Sequence, residues 1–136
     1  MKIQSIKNQK TSFKSYSVLK YNNKTPFYTT TMFFRKDLDW NALVNMVNDK
    51  YRNVDKVNVI CHACSDGEEV FSLAALIKTL LKSSSEKFFP IIAKDIDKVN
   101  IKIAQNAKYK ITKQELFRMH DYCGDNLYKY FSFDDK

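Results

Sequence analysis

Two short apolar runs, VNVIC at 57–61 and FFPIIAKD at 88–95, limit what this chain can fold into. Both are rich in β-branched or aromatic residues and bounded by polar segments, which is how buried strands read. Pro90 stands near the start of the second, where a missing N–H is tolerated. Between the runs, the segment from about Glu68 to Lys82 has helical periodicity. Phe71, Ala74, Ala75, Lys78 and Leu81 form one stripe, and Leu73, Leu76, Ile77 and Leu80 lie beside it, so most of the circumference is apolar. SSSEK at 83–87 reads as a loop. A strand, a buried helix and a second strand make a crossover unit with parallel strands and a right-handed connection. Around it, Trp40, Leu43, Val44, Val47 and Tyr51 predict a helix over 37–52. Val99, Ile103, Ala104 and Ala107 predict another over 97–107, and two short helices follow near 112–119 and 125–131. The expected fold is α/β, with few parallel strands flanked by helices.

With 136 residues, 14% aromatics, two glycines and two prolines, the chain reads as one folded domain or part of one. No apolar run reaches the ~18–20 residues of a membrane span, and MKIQSIKNQK lacks the apolar stretch of a secretory signal. A cytoplasmic location is therefore expected, and the three cysteines suit reduced thiols. Cys61, Cys64, His120 and Cys123 have the ligand types of a zinc site, but a small residue at a strand end is ordinary in a core, and no metal is expected. Cys64, Ser65 and His62 are too close along the chain to meet as a nucleophile and base.

The net charge of +8 is uneven. Residues 1–36 carry Lys2, Lys7, Lys10, Lys14, Lys20, Lys24, Arg35 and Lys36 and no acid, so this segment holds all of it. The expected organisation is a short basic N-terminal arm over 1–30 and a domain over 31–136. Such an arm attracts an acidic partner, or is a solvated tail. Phe13, Tyr16, Tyr21, Phe27 and Tyr28 among its lysines suit docking on the domain better than stacking on nucleic-acid bases.

In α/β folds of this kind, ligands sit beyond the carboxyl ends of the strands. Two features meet there: the turn Ala63-Cys64-Ser65-Asp66-Gly67 with Glu68 and Glu69, and Asp95 at the end of the second run. A helix start with three acids repels phosphate. An acid such as Asp95 commonly holds ribose hydroxyls. The combination suits a cationic nucleoside such as S-adenosylmethionine. The alternative is that Glu68 and Glu69 merely stabilise a helix start, worth ~0.3–1 kcal/mol each.

TMFFRKDLDWNAL (31–43), VICHACSDGEEVFSLA (59–74) and AKDIDKVNIKIAQNAKY (93–109) resemble the CheR family, methyltransferases that esterify glutamates on chemotaxis receptors. That family's pattern runs T-x-F-F-R, a strand, S-A-G-C-S-T-G-E-E-P-Y-S-L-A, A-T-D-I-D, and a helix ending in G-x-Y. LYKYF at 127–131 is similar to its later L-x-x-Y-F. The resemblance implies a Rossmann-like, class I methyltransferase fold, of which this chain carries only part: two core strands, and an N-terminal helical region cut to about 30 residues. It implies S-adenosylmethionine as cofactor, with Thr31 and Arg35 by its methionine end and Ala63 lining the pocket. Glu69 would take the ammonium and Asp95 the ribose hydroxyls. Arg35 would stand near the reacting carboxylate or the cofactor's own. Departures are Thr29 for an Asn, His62 and Ala63 for Ala and Gly, Val70 for Pro, Phe71 for Tyr, and Lys94 for Thr or Ser.

Two functions follow. One is a truncated or split methyltransferase acting on protein carboxylates. The other is a non-enzymatic binding or regulatory module whose basic arm engages an acidic partner, such as a chemoreceptor helix. The resemblance also implies that the strand at 57–61 lies near a sheet centre with one neighbour absent, so a homodimer or a complementing second chain is expected.

Overall fold

A computed structural model of the chain describes residues 1–7, 11–15 and 31–134. In chain order its elements are β1 (Lys2–Ile6), β2 (Thr11–Ser15), α1 (Trp40–Lys50), β3 (Val59–His62), α2 (Glu68–Leu81), β4 (Ile91–Asp95), α3 (Lys98–Asn106), β5 (Tyr109–Lys110), α4 (Lys113–Cys123), α5 (Leu127–Tyr130) and β6 (Phe131–Asp134). The expected loop at 83–87 is wound into 3-10 turns over Lys82–Phe88. Among the described residues, no helix is long and apolar enough to cross a membrane.

The crossover unit forms as its pattern requires. β3 and β4 pair in parallel, Val59 opposite Ile91 and His62 opposite Lys94. Among the described residues β3 pairs with β4 alone and leaves its other edge open, as expected of a strand with one neighbour absent, and the centre of this sheet is β4. Its other side pairs in parallel with β2, from Thr11 opposite Ile91 to Ser15 opposite Asp95. Two pieces of the first thirty residues are thus tied into the fold as strands. Tyr16, Val18, Leu19, Tyr21, Phe27, Tyr28 and Thr29 lie outside the described residues.

Register sorts the sheet into two faces. The rows Thr11–Ile91–Val59 and Phe13–Ala93–Cys61 point at the helices. Phe13 packs on Phe71 of α2 with ring centroids 5.3 Å apart, and Val59 lines a small apolar cavity of about 90 Å³ together with Leu43 and Val47 of α1 and Leu73 and Ile77 of α2. The alternate rows, Ser12–Ile92–Ile60 and Lys14–Lys94–His62, point away, and Ile60 is 47% exposed.

α1 begins where Asp39 accepts the Ala42 N–H, and it buries Trp40 and Val44 as its spacing predicts. α2 buries Val70, Phe71, Ser72, Ala75, Leu76 and Ile77, while Leu80 turns outward. α3 corrects its expected face in part. Ala104 and Ala107 are buried as expected, but Val99 is 64% exposed, Ile103 is exposed as well, and Asn100 and Ile101 are buried in their place. Both stripes are apolar enough to pack. Ala104 is common to both, and it comes so close to Gly67 that a larger side chain at either position would be blocked.

β1 is the middle strand of a second, antiparallel sheet between β5 and β6. Its Ile3 and Ile6 join Tyr109 and Phe131 in the core. Phe33 meets Tyr109 and Phe131 edge-on, with centroids 5.2 and 5.8 Å away. Edge-to-face contacts of this sort suit the aromatic quadrupole. This sheet anchors the segment around Phe33, which leads directly to Arg35.

Candidate functional site

The turn after β3 is held by backbone bonds and by one carboxylate. The Cys64 N–H donates to the Lys94 carbonyl at 3.1 Å, and the Gly67 N–H to the Cys64 carbonyl at 3.0 Å. Asp95 is 6% exposed. Its Oδ2 accepts the Ser65 N–H at 2.7 Å and its Oδ1 the Asp97 N–H at 2.8 Å. Asp95 therefore shapes the turn as well as facing the end of the sheet. Each of its oxygens retains a lone pair beyond these bonds.

Three residues in five take left-handed backbone here: Ala63 at φ 53, Ser65 at φ 50 and Gly67 at φ 94. At Gly67 an added Cβ would lie 2.9 Å from the Ala104 Cβ and 3.0 Å from the Phe13 ring, so both conformation and space demand glycine. Ala63 is exposed and has only the conformational cost to bear.

Arg35 is placed by a second loop. The Phe34 N–H donates to Ser72 Oγ of α2 at 2.9 Å. The Phe34 ring stacks on Tyr122 of α4, centroids 4.8 Å apart. Arg118 of α4 donates through Nε to the Phe34 carbonyl at 3.0 Å. The loop is thus fixed from two helices. Arg35 then reaches two acids. Its Nη1 donates to Glu69 Oε1 at 2.9 Å, and its Nε and Nη2 donate to Asp37 at 2.7 and 3.0 Å. Hydrogen bonding to Arg35 holds the Asp37 carboxyl below the usual carboxylate range. Met32, Arg35, Lys36, Asp37 and Glu69 border a hollow of about 290 Å³.

The turn is electrostatically overloaded with acid. Burial raises the Asp66 carboxyl, and Asp97 and Asp95 add repulsion. Burial pushes the Glu68 carboxyl up to about 7, against its own backbone N–H, with Asp66 adding to the rise. The Thr31 hydroxyl is near enough to lower it slightly but makes no well-formed hydrogen bond. Ser65 Oγ, Asp66 Oδ1 and Glu68 Oε2 are buried without a hydrogen-bond partner. Burial and the nearby Asp95 push the Cys64 thiol up to about 12, so it is inert. All three cysteines are free. Unpartnered carboxylate oxygens of Asp66 and Glu68, with the hydroxyls of Ser65 and Thr31 also unpartnered, suit a ligand that brings cationic and hydroxyl groups.

Of the sequence-predicted residues, Arg35 and Glu69 are in direct contact, and Asp95 is bonded to the turn that carries Ala63 and leads into Glu69. Thr31 lies beside Glu68. Sequence reasoning missed Asp37 as second partner of Arg35, Arg118 as clamp of its loop, and Tyr109, whose hydroxyl donates to the Asp66 carbonyl at 2.5 Å. Asp37 is two residues from Arg35 and carried a signal, whereas Arg118 carried none.

A family model described as "CheR methyltransferase, SAM binding domain" matches residues 29–131. No curated protein and no solved structure matches the chain.

Proposed function

We propose, from the premise that this chain belongs to the CheR methyltransferase family, that it transfers a methyl group to a carboxylate on an acidic protein segment such as a chemoreceptor helix. Its cofactor is S-adenosylmethionine, which when bound supplies an electrophilic methyl group on a sulfonium. The residues present fit it. The acceptors left over at Ser65, Asp66 and Glu68 match a ligand with two cationic centres and hydroxyl donors.

In this reading Asp95 receives the ribose hydroxyls on its remaining lone pairs, with its orientation set beforehand by the Ser65 and Asp97 N–H groups. Glu69 gives one oxygen to Arg35 and keeps the other for the ammonium. Thr31 and the Ala63 backbone line the methionine end. Arg35 attracts and orients the acceptor carboxylate, and Asp37 and Glu69 keep it from swinging away. A glutamate is ionised at neutral pH, so no general base is required of this chain. Its contribution is position, which lowers a barrier mainly through entropy already lost on binding.

The observation that carries this reading is the Arg35–Glu69 contact of 2.9 Å. It sets a cation for the acceptor beside an acid for the cofactor. The test is calorimetry with S-adenosylmethionine and its demethylated product. Micromolar binding by the wild-type chain, lost in Asp95→Asn while the circular dichroism spectrum is kept, is the expected result. Undiminished binding by the variant would sink the site.

A second reading, a non-enzymatic binding module, is favoured by the pairing of Arg35 with two acids, Asp37 and Glu69, which offset its charge. Binding of cofactor without methyl transfer to any acidic peptide would select it. Either role admits a second strand at β3, as a homodimer or a complementing chain. Among the described residues its outer edge is unpaired, and Ile60 stands exposed. Light scattering of the wild type beside Val59→Lys tests that association.

A further inference from the structure

α4 carries an aromatic ring on the wrong side for folding. The helix buries Met119 and Cys123 and half-buries Leu116 and Tyr122. Phe117 points the other way and is 68% exposed. An exposed ring of that size contributes little to stability and is a common anchor in interfaces.

Phe117 does not stand alone. With Lys36, Lys113, Gln114 and Arg118 it lines a surface groove of about 380 Å³. Lys36 also borders the hollow that contains Arg35 and Glu69, so the two depressions are neighbours across one side chain. The wall is rigid, because Arg118 donates to the carbonyls of Phe33 and Phe34 and ties α4 to the Arg35 loop. Its charge is one-sided. Lys36 and Lys113 have no acidic partner among the described residues. Glu115 is turned back to cap the helix at Thr112, with Oε2 accepting the Thr112 N–H at 2.8 Å, and Asp37 is held by Arg35.

We propose that this groove docks an acidic segment of the methyl-accepting protein, reading acidic side chains with Lys36 and Lys113 and an apolar one with Phe117. The inference rests on the carboxylate-methyltransferase reading and adds to it the surface that chooses the acceptor. Charge complementarity selects the occupant. A second copy would bring its own lysines to the groove, and a nucleic acid would leave the ring without an apolar partner unless bases unstack onto it. A docked segment extends from Phe117 past Lys36 to Arg35. A glutamate a turn or so from the anchored apolar residue then reaches the cation that orients it.

The test uses the full chain and fluorescence anisotropy with a labelled peptide of fourteen residues, glutamate-rich with a leucine at every fourth position. Two controls are the same peptide with Gln for Glu, and a single-stranded DNA of equal length. The variants are Lys113→Glu and Phe117→Ala. Lys113 is the first residue of α4, where an acid favours the helix, so the reversal does not threaten the fold. The acidic peptide is expected to bind about tenfold more weakly to Lys113→Glu and several-fold more weakly to Phe117→Ala. The Gln peptide should bind poorly to all forms, and calorimetric affinity for S-adenosylmethionine should be unchanged in both variants. Equal binding of the acidic peptide by wild type and both variants overturns the proposal. So does equal binding of the Gln peptide, or tighter binding of the DNA with the same dependence on Lys113 and Phe117. If the peptide results hold while the wild type binds no cofactor, the methyl-transfer reading fails and the groove stands.

Discussion

At the carboxyl end of β3 the polar groups are short, buried and bonded to backbone. Along α4 and Lys36 the charges are on long side chains in water, around a bare ring. The two regions border the same site and are built for different tasks. A turn whose carboxylate accepts from Ser65 and Asp97 at 2.7 and 2.8 Å has a fixed shape, which suits a small ligand of constant chemistry. A wall that offers long solvated lysines and Phe117 from a firmly tied helix makes few exact demands, which suits a protein segment whose sequence varies around the reacting residue. The difference teaches where sensitivity to substitution should lie: high at the turn and low along the wall.

The largest effect should come from Gly67→Ala. The new Cβ would meet Ala104 at 2.9 Å in a backbone conformation of φ 94. A loss of about 3 kcal/mol or more is expected in urea unfolding. Ala104→Gly in the same chain should recover only part of it, since the φ strain remains. A loss below about 1 kcal/mol would break the contrast at its strongest point.

Glu68→Gln should act next. Burial raises the Glu68 carboxyl from its ordinary value to about 7 in the folded chain. The folded state then binds more protons than the unfolded one between about pH 4.5 and 7. The associated stability is complete below the unfolded value and is lost as pH rises through about 7. With allowance for partial solvent exposure, roughly 1–2 kcal/mol should disappear between pH 5 and 8. The Gln variant should lack this slope. Cofactor affinity of the wild type should rise over the same interval as the turn gains negative charge. A wild-type profile that rises toward pH 8 would contradict the assignment.

Ala63→Gly should stabilise the chain by about 0.5–1 kcal/mol, because φ 53 costs alanine and not glycine. Its melting temperature should rise by a few degrees. Smallest of all, Phe117→Ala should leave unfolding within about 0.5 kcal/mol of wild type. A larger loss would mean that the ring supports the fold and that the wall resembles the turn after all.

Much of the fold was legible because its periods are clean. The crossover unit, α1 and α2 follow from apolar spacing alone, and the acidic turn follows from where Gly67 falls between a strand and a helix. The face of α3 was legible only in part: Ala104 and Ala107 turn inward as their spacing predicts, but Val99 and Ile103 look as apolar as Ile101, which is buried in their place. β1, β2, β5 and β6 escaped notice because each is short and its partner is remote. KIQSI pairs with residues near 110 and 132, and no local pattern can announce that. At the site, the acids and Arg35 were readable as chemical types. The raised Glu68 and the Arg118 clamp arise from burial and from contact between distant segments.

The antiparallel sheet has a consequence for the order in which the molecule comes into being. Ser5 and Ser132, 127 residues apart, share a hydroxyl hydrogen bond of 2.7 Å across β1 and β6. At the usual pace of translation, ~5–20 residues per second, β1 leaves the ribosome on the order of ten seconds before β6 exists. β2 likewise waits for β4. Through that interval Ile3, Ile6 and Phe13 belong to a nascent chain with nothing to cover them, and such surface recruits chaperones or other nascent chains. Within this stretch, strands made early are among the last to find their places. A slow-codon stretch before residue 131 should lengthen that exposure, and a fast one should shorten it.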